Sequence, residues 1–122
     1  MARTILVAAS FALAFAVIIG AFGAHGLKSR ISPDMLQVYK TGVEYHFCHA
    51  LGLLAIGILA LQAPSKYLKL AAIFISAGLL LFSGSLYALA ITGVKWIGAI
   101  TPLGGLSFIA GWVFLGLSFF KR

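Results

Sequence analysis

Charged residues divide the sequence into four long apolar windows, and this division constrains the fold more than any other feature. The windows cover residues 4–27, 45–65, 70–94 and 96–120, and none of them contains Asp, Glu, Lys or Arg. About 20 helical residues cross a hydrocarbon core about 30 Å thick, so each window is long enough to span a membrane. Backbone groups in lipid must be paired within their own segment, which favours helices. The sequence therefore predicts an all-α fold, an integral membrane four-helix bundle.

Composition and charge support the same fold class. Only 9% of the residues are charged, whereas a soluble domain carries about a quarter, and 62% are apolar. The net charge is +7, but the basic residues stand singly or in pairs at the ends of the apolar windows. That placement is typical of membrane anchors and argues against a nucleic-acid partner. Cys48 is the only cysteine, which excludes an internal disulfide.

A single domain over residues 1–122 is predicted, with helices over about 4–24, 44–63, 67–92 and 96–120. Ser32, Pro33 and Asp34 have the residue types of an N-cap and a first helical turn, so a short interfacial helix is predicted over about 33–41. Gly42 is its expected end or hinge. The two short connections near residues 63–66 and 92–95 make their flanking helices antiparallel neighbours, which gives an up-down-up-down bundle.

The orientation follows from a small bias in basic residues. With both termini inside, the cytoplasmic side holds Arg3, Lys66, Lys69, Lys121 and Arg122, and the other side holds Lys28, Arg30, Lys40 and Lys95. The positive-inside rule then favours cytoplasmic termini. Arg3 before an apolar run is also seen in secretory signals, but this run exceeds the usual length of about 7–15 residues, so a retained span is predicted.

Small residues recur along three of the predicted helices. Such stripes allow close approach of two helices, either within one chain or between copies. They comprise Ala8, Ala12, Ala16, Gly20 and Ala24 on the first helix, Ala72, Ser76, Gly84 and Ala88 on the third, and Gly104, Ser107, Gly111 and Ser118 on the fourth.

Antiparallel threading places most polar residues on one side of the bilayer. Ionisable groups at membrane depth are costly, which makes them candidate functional groups. The candidate site residues on that side are His25, Glu44, Tyr45, His49, Ser83, Ser85, Tyr87, Thr101 and Pro102. Glu44, at the mouth of the second helix, is either an interfacial acid paired with Lys40 or Lys95, or a proton-handling or cation-binding group.

The histidines leave three alternatives open. His46 and His49 lie three residues apart on one helix face, and they hydrogen-bond to neighbouring helices, relay protons, or chelate a metal together with His25. Glu44 is about 140° around the helix from His49, so it is not expected on that face. Pro102 follows Thr101 about one turn into the fourth helix, where a kink lines a polar pocket or merely shapes the bundle.

Catalytic and cofactor signatures are absent from the sequence. No nucleophile elbow, P-loop, dinucleotide-binding glycine pattern or HExxH motif occurs, and Asp34 and Glu44 are the only side-chain carboxylates. We therefore expect no enzyme activity, no cofactor and no metal.

Four segments carry a resemblance to a known family. Residues 20–27, 41–49, 82–87 and 100–105 read GAFGAHGL, TGVEYHFCH, FSGSLY and ITPLGG. In these motifs, and over essentially its whole length, the chain resembles the YgdD/YwdK-like family of small bacterial membrane proteins. The resemblance implies a multi-pass four-helix protein of the bacterial inner membrane. It supplies no activity, and all nine candidate site residues fall in its motifs, whereas His46 and Cys48 fall where the family is expected to vary.

Three functions compete at this stage. The first is a non-enzymatic helix bundle in the lipid bilayer that associates with itself or serves as an accessory to a partner membrane protein. The second is a transporter or channel for a proton, an ion or a small solute, with its polar site in one leaflet. The third is a lipid-binding or metal-binding membrane module, in which Lys28, Arg30 and Lys40 contact acidic head groups.

Overall fold

Four long helices make up the fold in a computed structural model that describes residues 1–120. They are α1 (Ala2–Leu27), α2 (Pro33–Gln62), α3 (Lys66–Thr92) and α4 (Lys95–Phe120), and each is long and apolar enough to cross a membrane. The predicted all-α membrane bundle is confirmed. Lys121 and Arg122, which entered the orientation argument, lie outside the described residues.

Helix α2 corrects the prediction of a separate interfacial helix. Residues 33–41 are the first turns of one 30-residue helix that continues without a break through Gly42. Gly42 is a buried contact point, because a Cβ built there would lie 2.8 Å from a ring carbon of Tyr87. The predicted N-cap is confirmed: the Ser32 side chain accepts a hydrogen bond from the Met35 backbone N–H at 3.2 Å. Gly42 is small so that α3 can approach, and it does not end the helix.

The short connections form sharp helix ends. Ser65 caps α3 by accepting a hydrogen bond from the Leu68 backbone N–H at 3.2 Å. Helix α3 ends at Gly93, which has φ of 72° and whose N–H donates to the Leu89 carbonyl. Left-handed backbone is the usual helix stop and favours glycine.

Replacing Gly93 with alanine should lower the free energy of unfolding by about 1 kcal/mol, because alanine is strained at this positive φ. In the described part of the chain no atom lies within 4 Å of the added Cβ, so the backbone conformation alone sets the cost. Thermal unfolding in detergent measures it. Gly93→Asn, which tolerates this conformation better, is the matched control and should lose less; equal losses in the two variants would contradict the explanation.

Helices α1 and α3 each contain a π-helical turn, at Gly23–Leu27 and at Leu79–Ser83, and α4 begins with the 3₁₀ turn Lys95–Ala99. The first π turn carries the GAHGL part of a sequence motif. The second ends at Ser83, whose side chain is directed to α2. Such turns shift the side chains beyond them around the helix and often occur at functional sites.

The helices pack in chain order, α1 on α2, α2 on α3 and α3 on α4. Helix α1 therefore has one main neighbour. The common core is formed where α2 and α3 meet the other two helices, by Ile5, Ala9, Leu53, Ile56, Leu68, Ile75 and Phe108. The small-residue stripe of α4 is used inside the chain: Gly104 and Gly111 press on Phe82 and Ile75, and the Ser107 hydroxyl donates to the Phe74 carbonyl at 2.6 Å.

Candidate functional site

His46 connects three helices near the middle of the fold. It is 8% exposed, its Nε2 lies 2.8 Å from the Ala12 carbonyl of α1, and its Nδ1 lies 2.8 Å from the Tyr87 hydroxyl of α3. A carbonyl oxygen only accepts, so Nε2 carries the hydrogen. In the neutral ring Nδ1 then accepts from the Tyr87 O–H. One imidazole thus satisfies polar groups on both neighbouring helices.

Two further hydrogen bonds reinforce the same junction. The Tyr39 hydroxyl donates to the Ile19 carbonyl at 2.5 Å, and the Tyr39 and Tyr87 rings lie 5.3 Å apart. The buried Ser83 hydroxyl donates to the Gly42 carbonyl at 2.9 Å. The network therefore holds α1, α2 and α3 together, and it favours the structural alternative for His46.

Ser85 and Thr101 form a second polar contact between α3 and α4, besides that of Ser107 with the Phe74 carbonyl. Their hydroxyl oxygens lie 2.5 Å apart, and the Ser85 hydroxyl is also 2.9 Å from the Phe82 carbonyl. Pro102 follows Thr101 and is exposed, and it lines a cavity between α2 and α4. The structure therefore brings Ser85, Thr101 and Pro102 together, apart from the His46 network.

His49 faces α4 and is held by its own helix. Its Nδ1 donates to the Tyr45 carbonyl at 2.8 Å, which leaves a lone pair on Nε2 of the neutral ring. The ring stacks on Phe108 with centroids 3.5 Å apart, and Trp112 lies 5.5 Å away. His46 and His49 thus serve different faces of α2.

Glu44 lies at membrane depth, which corrects its predicted place at the mouth of the second helix. Helix α2 begins eleven residues earlier, at Pro33. The bond from His46 to Ala12 and the stack of His49 on Phe108 fix the levels of α1 and α4. At 1.5 Å per residue, Glu44 is within about 8 Å of the middle of both helices, well inside a hydrocarbon half-thickness of about 15 Å.

The surroundings of Glu44 differ from both expected pairings. Its side chain is exposed on the outer face of α2, and Lys40, one turn earlier, lines a common cavity with it. Within residues 1–120, however, the structure gives the Glu44 carboxylate no hydrogen bond or ion pair.

Glu44 and His49 line one cavity, contrary to the expectation that they occupy separate faces. This cavity, of about 240 Å³, is lined by Glu44, Tyr45, Cys48 and His49. Helical side chains lean toward the N-terminus of their helix, and the bond to the Tyr45 carbonyl turns the His49 ring in that direction. Cys48 and Tyr45 lie between the two residues, about 40° and 100° around the helix from Glu44, so one groove on the helix surface reaches from Glu44 to His49.

His25 does not join the other histidines. It is exposed in the π-helical turn that ends α1, several turns from the level of His46. In the part of the chain that the structure describes, no three His, Cys, Asp or Glu side chains are placed to hold a metal ion. The chelate of His25, His46 and His49, which was one of the three alternatives for the histidines, is therefore not formed.

The sequence did not identify His46 as a candidate site residue. In the structure, however, its side chain hydrogen-bonds to both α1 and α3. The residue types gave no reason to prefer His46 over His49. Gly42, one turn before His46 on α2, was a sequence signal for the contact of His46 with α3. A glycine at that position leaves room for the Tyr87 ring, whose hydroxyl reaches His46.

Comparisons with protein families and with individual relatives indicate the same family of membrane proteins. A family described as "Protein of unknown function (DUF423)" matches residues 19–105. The chain is 48% identical to the UPF0382 membrane protein YwdK of Bacillus subtilis, over 82% of each chain. It is 42% identical to a UPF0382 membrane protein of Haemophilus influenzae, over 88% of this chain and 86% of the relative. No solved structure matches the chain significantly.

Proposed function

This chain belongs to the DUF423 family of membrane proteins, and we propose that it is a non-enzymatic helix bundle that associates with further copies of itself in the bacterial plasma membrane. The single observation that carries the proposal is the exposed Glu44 at hydrocarbon depth. A charged side chain there costs several kcal/mol when it faces lipid, so such residues normally face protein or a wet cavity. A second protein surface against this face of α2 shields the side chain from lipid and closes off the cavities beside it.

The surface in question is a continuous stripe on α2. It consists of Glu44, Cys48, Leu51, Ala55 and Ile58, all exposed, and we call it the α2 stripe. Their spacing of three or four residues places them on one face over about 21 Å of helix. The stripe differs from the small-residue ridges of the sequence prediction: the ridge of α4 packs inside the chain, and on α1 only Ala16 of the ridge is buried.

A second copy is the proposed occupant because a two-fold interface needs only one surface that fits itself. Cys48 and Ala55 are small residues on the stripe, which lets two α2 helices approach closely. Two parallel copies also bring their Glu44 side chains to the same depth and away from lipid, where the two carboxylates must share a proton or a bound cation because like charges repel. The proposed orientation has both termini in the cytoplasm, as the positive-inside rule favours.

Cys48 makes this proposal directly testable, because it is the only cysteine and lies on the α2 stripe. Oxidation of native membranes should convert most of the protein to a disulfide-linked dimer, since a disulfide forms only when the two Cα atoms approach within about 7 Å. Gel electrophoresis without reductant measures the dimer fraction, and Cys48→Ser should give none.

A relocated cysteine provides the matched control. Val113 is 54% exposed on the outer face of α4, so Val113→Cys in the Cys48→Ser background reports random collisions. It should crosslink at least fivefold less than Cys48 at equal expression. Equal crosslinking at both positions, or monomer at every oxidant dose, would remove the proposal.

The cavities beside Glu44 favour a second candidate function. They support the transporter or channel alternative, in which the polar site in one leaflet takes a small solute, because they give that site room for one. The metal-binding alternative gains no support from residues 1–120, which contain no three-ligand cluster.

A further inference from the structure

Two cavities adjoin on the α4 side of the α2 stripe. The larger, of about 540 Å³, lies between α2 and α4 and is lined mainly by aromatic rings. The smaller, of about 240 Å³, holds Glu44 and Cys48. Tyr45 and His49 line both of them, so the two cavities meet at these residues, with aromatic rings on one side and the Glu44 carboxylate on the other. Its larger part has the size of a small-molecule pocket.

The aromatic end is built from rings in mutual contact. Tyr45 lies 4.6 Å from Phe82, and Phe82 lies 5.4 Å from Phe108, measured between ring centroids. Phe108 in turn stacks on His49, beside Trp112. These contacts hold the rings in place without a ligand. Ring faces attract cations, and aromatic cages are the usual means of recognising substituted ammonium groups.

The acidic end supplies the matching charge. Glu44 is the only carboxylate within the four apolar helices beyond their first turns. Among residues 1–120, no Lys or Arg lines either cavity, and Lys40 shares with Glu44 a separate cavity on the α1 side. An anion is repelled at this site, and a plain hydrocarbon leaves the carboxylate unpaired.

We propose that the two cavities together bind a hydrophobic organic cation, an ammonium or phosphonium ion with aryl or alkyl substituents. The substituents lie among Tyr45, Phe82, Phe108 and Trp112, and the positive charge lies toward Glu44. This inference deepens the proposed function by giving Glu44 a ligand, and in an associated pair the second copy closes the lipid-facing side of the smaller cavity.

The test uses the purified full-length chain in detergent and tetraphenylphosphonium as the probe. The Trp96→Phe variant leaves Trp112 as the only tryptophan, so quenching of its fluorescence reports the aromatic cavity. We expect saturable quenching, and at least a tenfold weaker affinity in Glu44→Gln. Asp34→Asn removes the other side-chain carboxylate, at the start of α2, and should leave the affinity unchanged.

Tetraphenylborate provides a control ligand, because it has nearly the same shape and the opposite charge. It should bind at least tenfold more weakly than tetraphenylphosphonium. Equal binding of the two ions, or unchanged phosphonium affinity in Glu44→Gln, would overturn the cation site and leave a merely apolar groove. Cys48 crosslinking, measured on the same variants, shows separately whether self-association is retained, so failure of either proposal is recognised without the other.

Discussion

Gly104→Ala is expected to lower the free energy of unfolding by about 3 kcal/mol, the range of a badly overpacked contact. A Cβ at this position would lie 2.3 Å from the Phe82 backbone nitrogen and 2.7 Å from its Cα. Backbone atoms of a packed helix cannot move aside as a flexible side chain does, so α3 and α4 must separate. Because the Ser85 to Thr101 contact joins the same helices, it should be lost as well.

The same helix supplies the control for this prediction. Gly116 is exposed, and no atom of residues 1–120 lies within 4 Å of an added Cβ, so Gly116→Ala should be neutral or gain up to about 1 kcal/mol of helix stability. Reversible unfolding in mixed detergent micelles, followed by circular dichroism, compares the two variants. If both behave alike, the close approach of α3 and α4 at Gly104 is wrong.

His46→Ala is expected to cost about 2–4 kcal/mol, the second large effect. The change removes the hydrogen bonds to Ala12 and Tyr87 and leaves the Tyr87 hydroxyl without its acceptor. It also opens a cavity where α1 meets α2 and α3. Tyr87→Phe keeps the ring contact with Tyr39 and should cost only about 1 kcal/mol, a typical value for one hydrogen bond between membrane helices.

A double-mutant cycle isolates the contact between the two residues. The double variant should be less destabilised than the sum of the single variants by about 1 kcal/mol, because each single change already breaks the shared bond. His25→Ala, in an exposed turn, should change stability by less than about 0.5 kcal/mol. Strictly additive effects of His46→Ala and Tyr87→Phe would show that the histidine does not use Tyr87.

Together these predictions distinguish the residues that stabilise the helix bundle from the residues that contact a ligand. His46, Tyr39 and Ser83 use their polar atoms within the chain, on the side of α2 that meets α1 and α3. The Glu44 carboxylate and the Nε2 atom of His49 belong instead to residues that line the cavities on the other side of α2. Stability should therefore respond to the first group and ligand affinity to Glu44.

Much of the architecture was predictable from local sequence. The four apolar windows identified the four helices, and Ser32 with Pro33 identified the start of α2. The short turns required antiparallel neighbours, which is how Ser85 of α3 and Thr101 of α4 come into contact. These features depend on residues close in the sequence, where composition and capping chemistry act directly.

The length of α2 was not predictable in the same way. Lys40, Gly42 and Glu44 read as the polar end of a span, yet the helix continues through them because Tyr39 and Gly42 pack on α1 and α3. That packing draws Glu44 into the bilayer. The depth of a residue depends on how neighbouring helices are aligned, which involves hydrogen bonds between residues 20 to 41 positions apart in the sequence.

The sequence by itself determined that the helices lie in lipid, how many spans there are and that their directions alternate. It could do so because hydrophobicity over about 20 residues is a local property. Only the tertiary structure decided which of two neighbouring histidines joins the helices, that Glu44 and His49 share a cavity, and that the stripe of α4 faces inward. Those outcomes follow from which faces of neighbouring helices pack together and from how the helices are aligned along the membrane normal. Lipid surrounds every helix with the same apolar solvent, so contacts between particular side chains, rather than burial from water, set that arrangement.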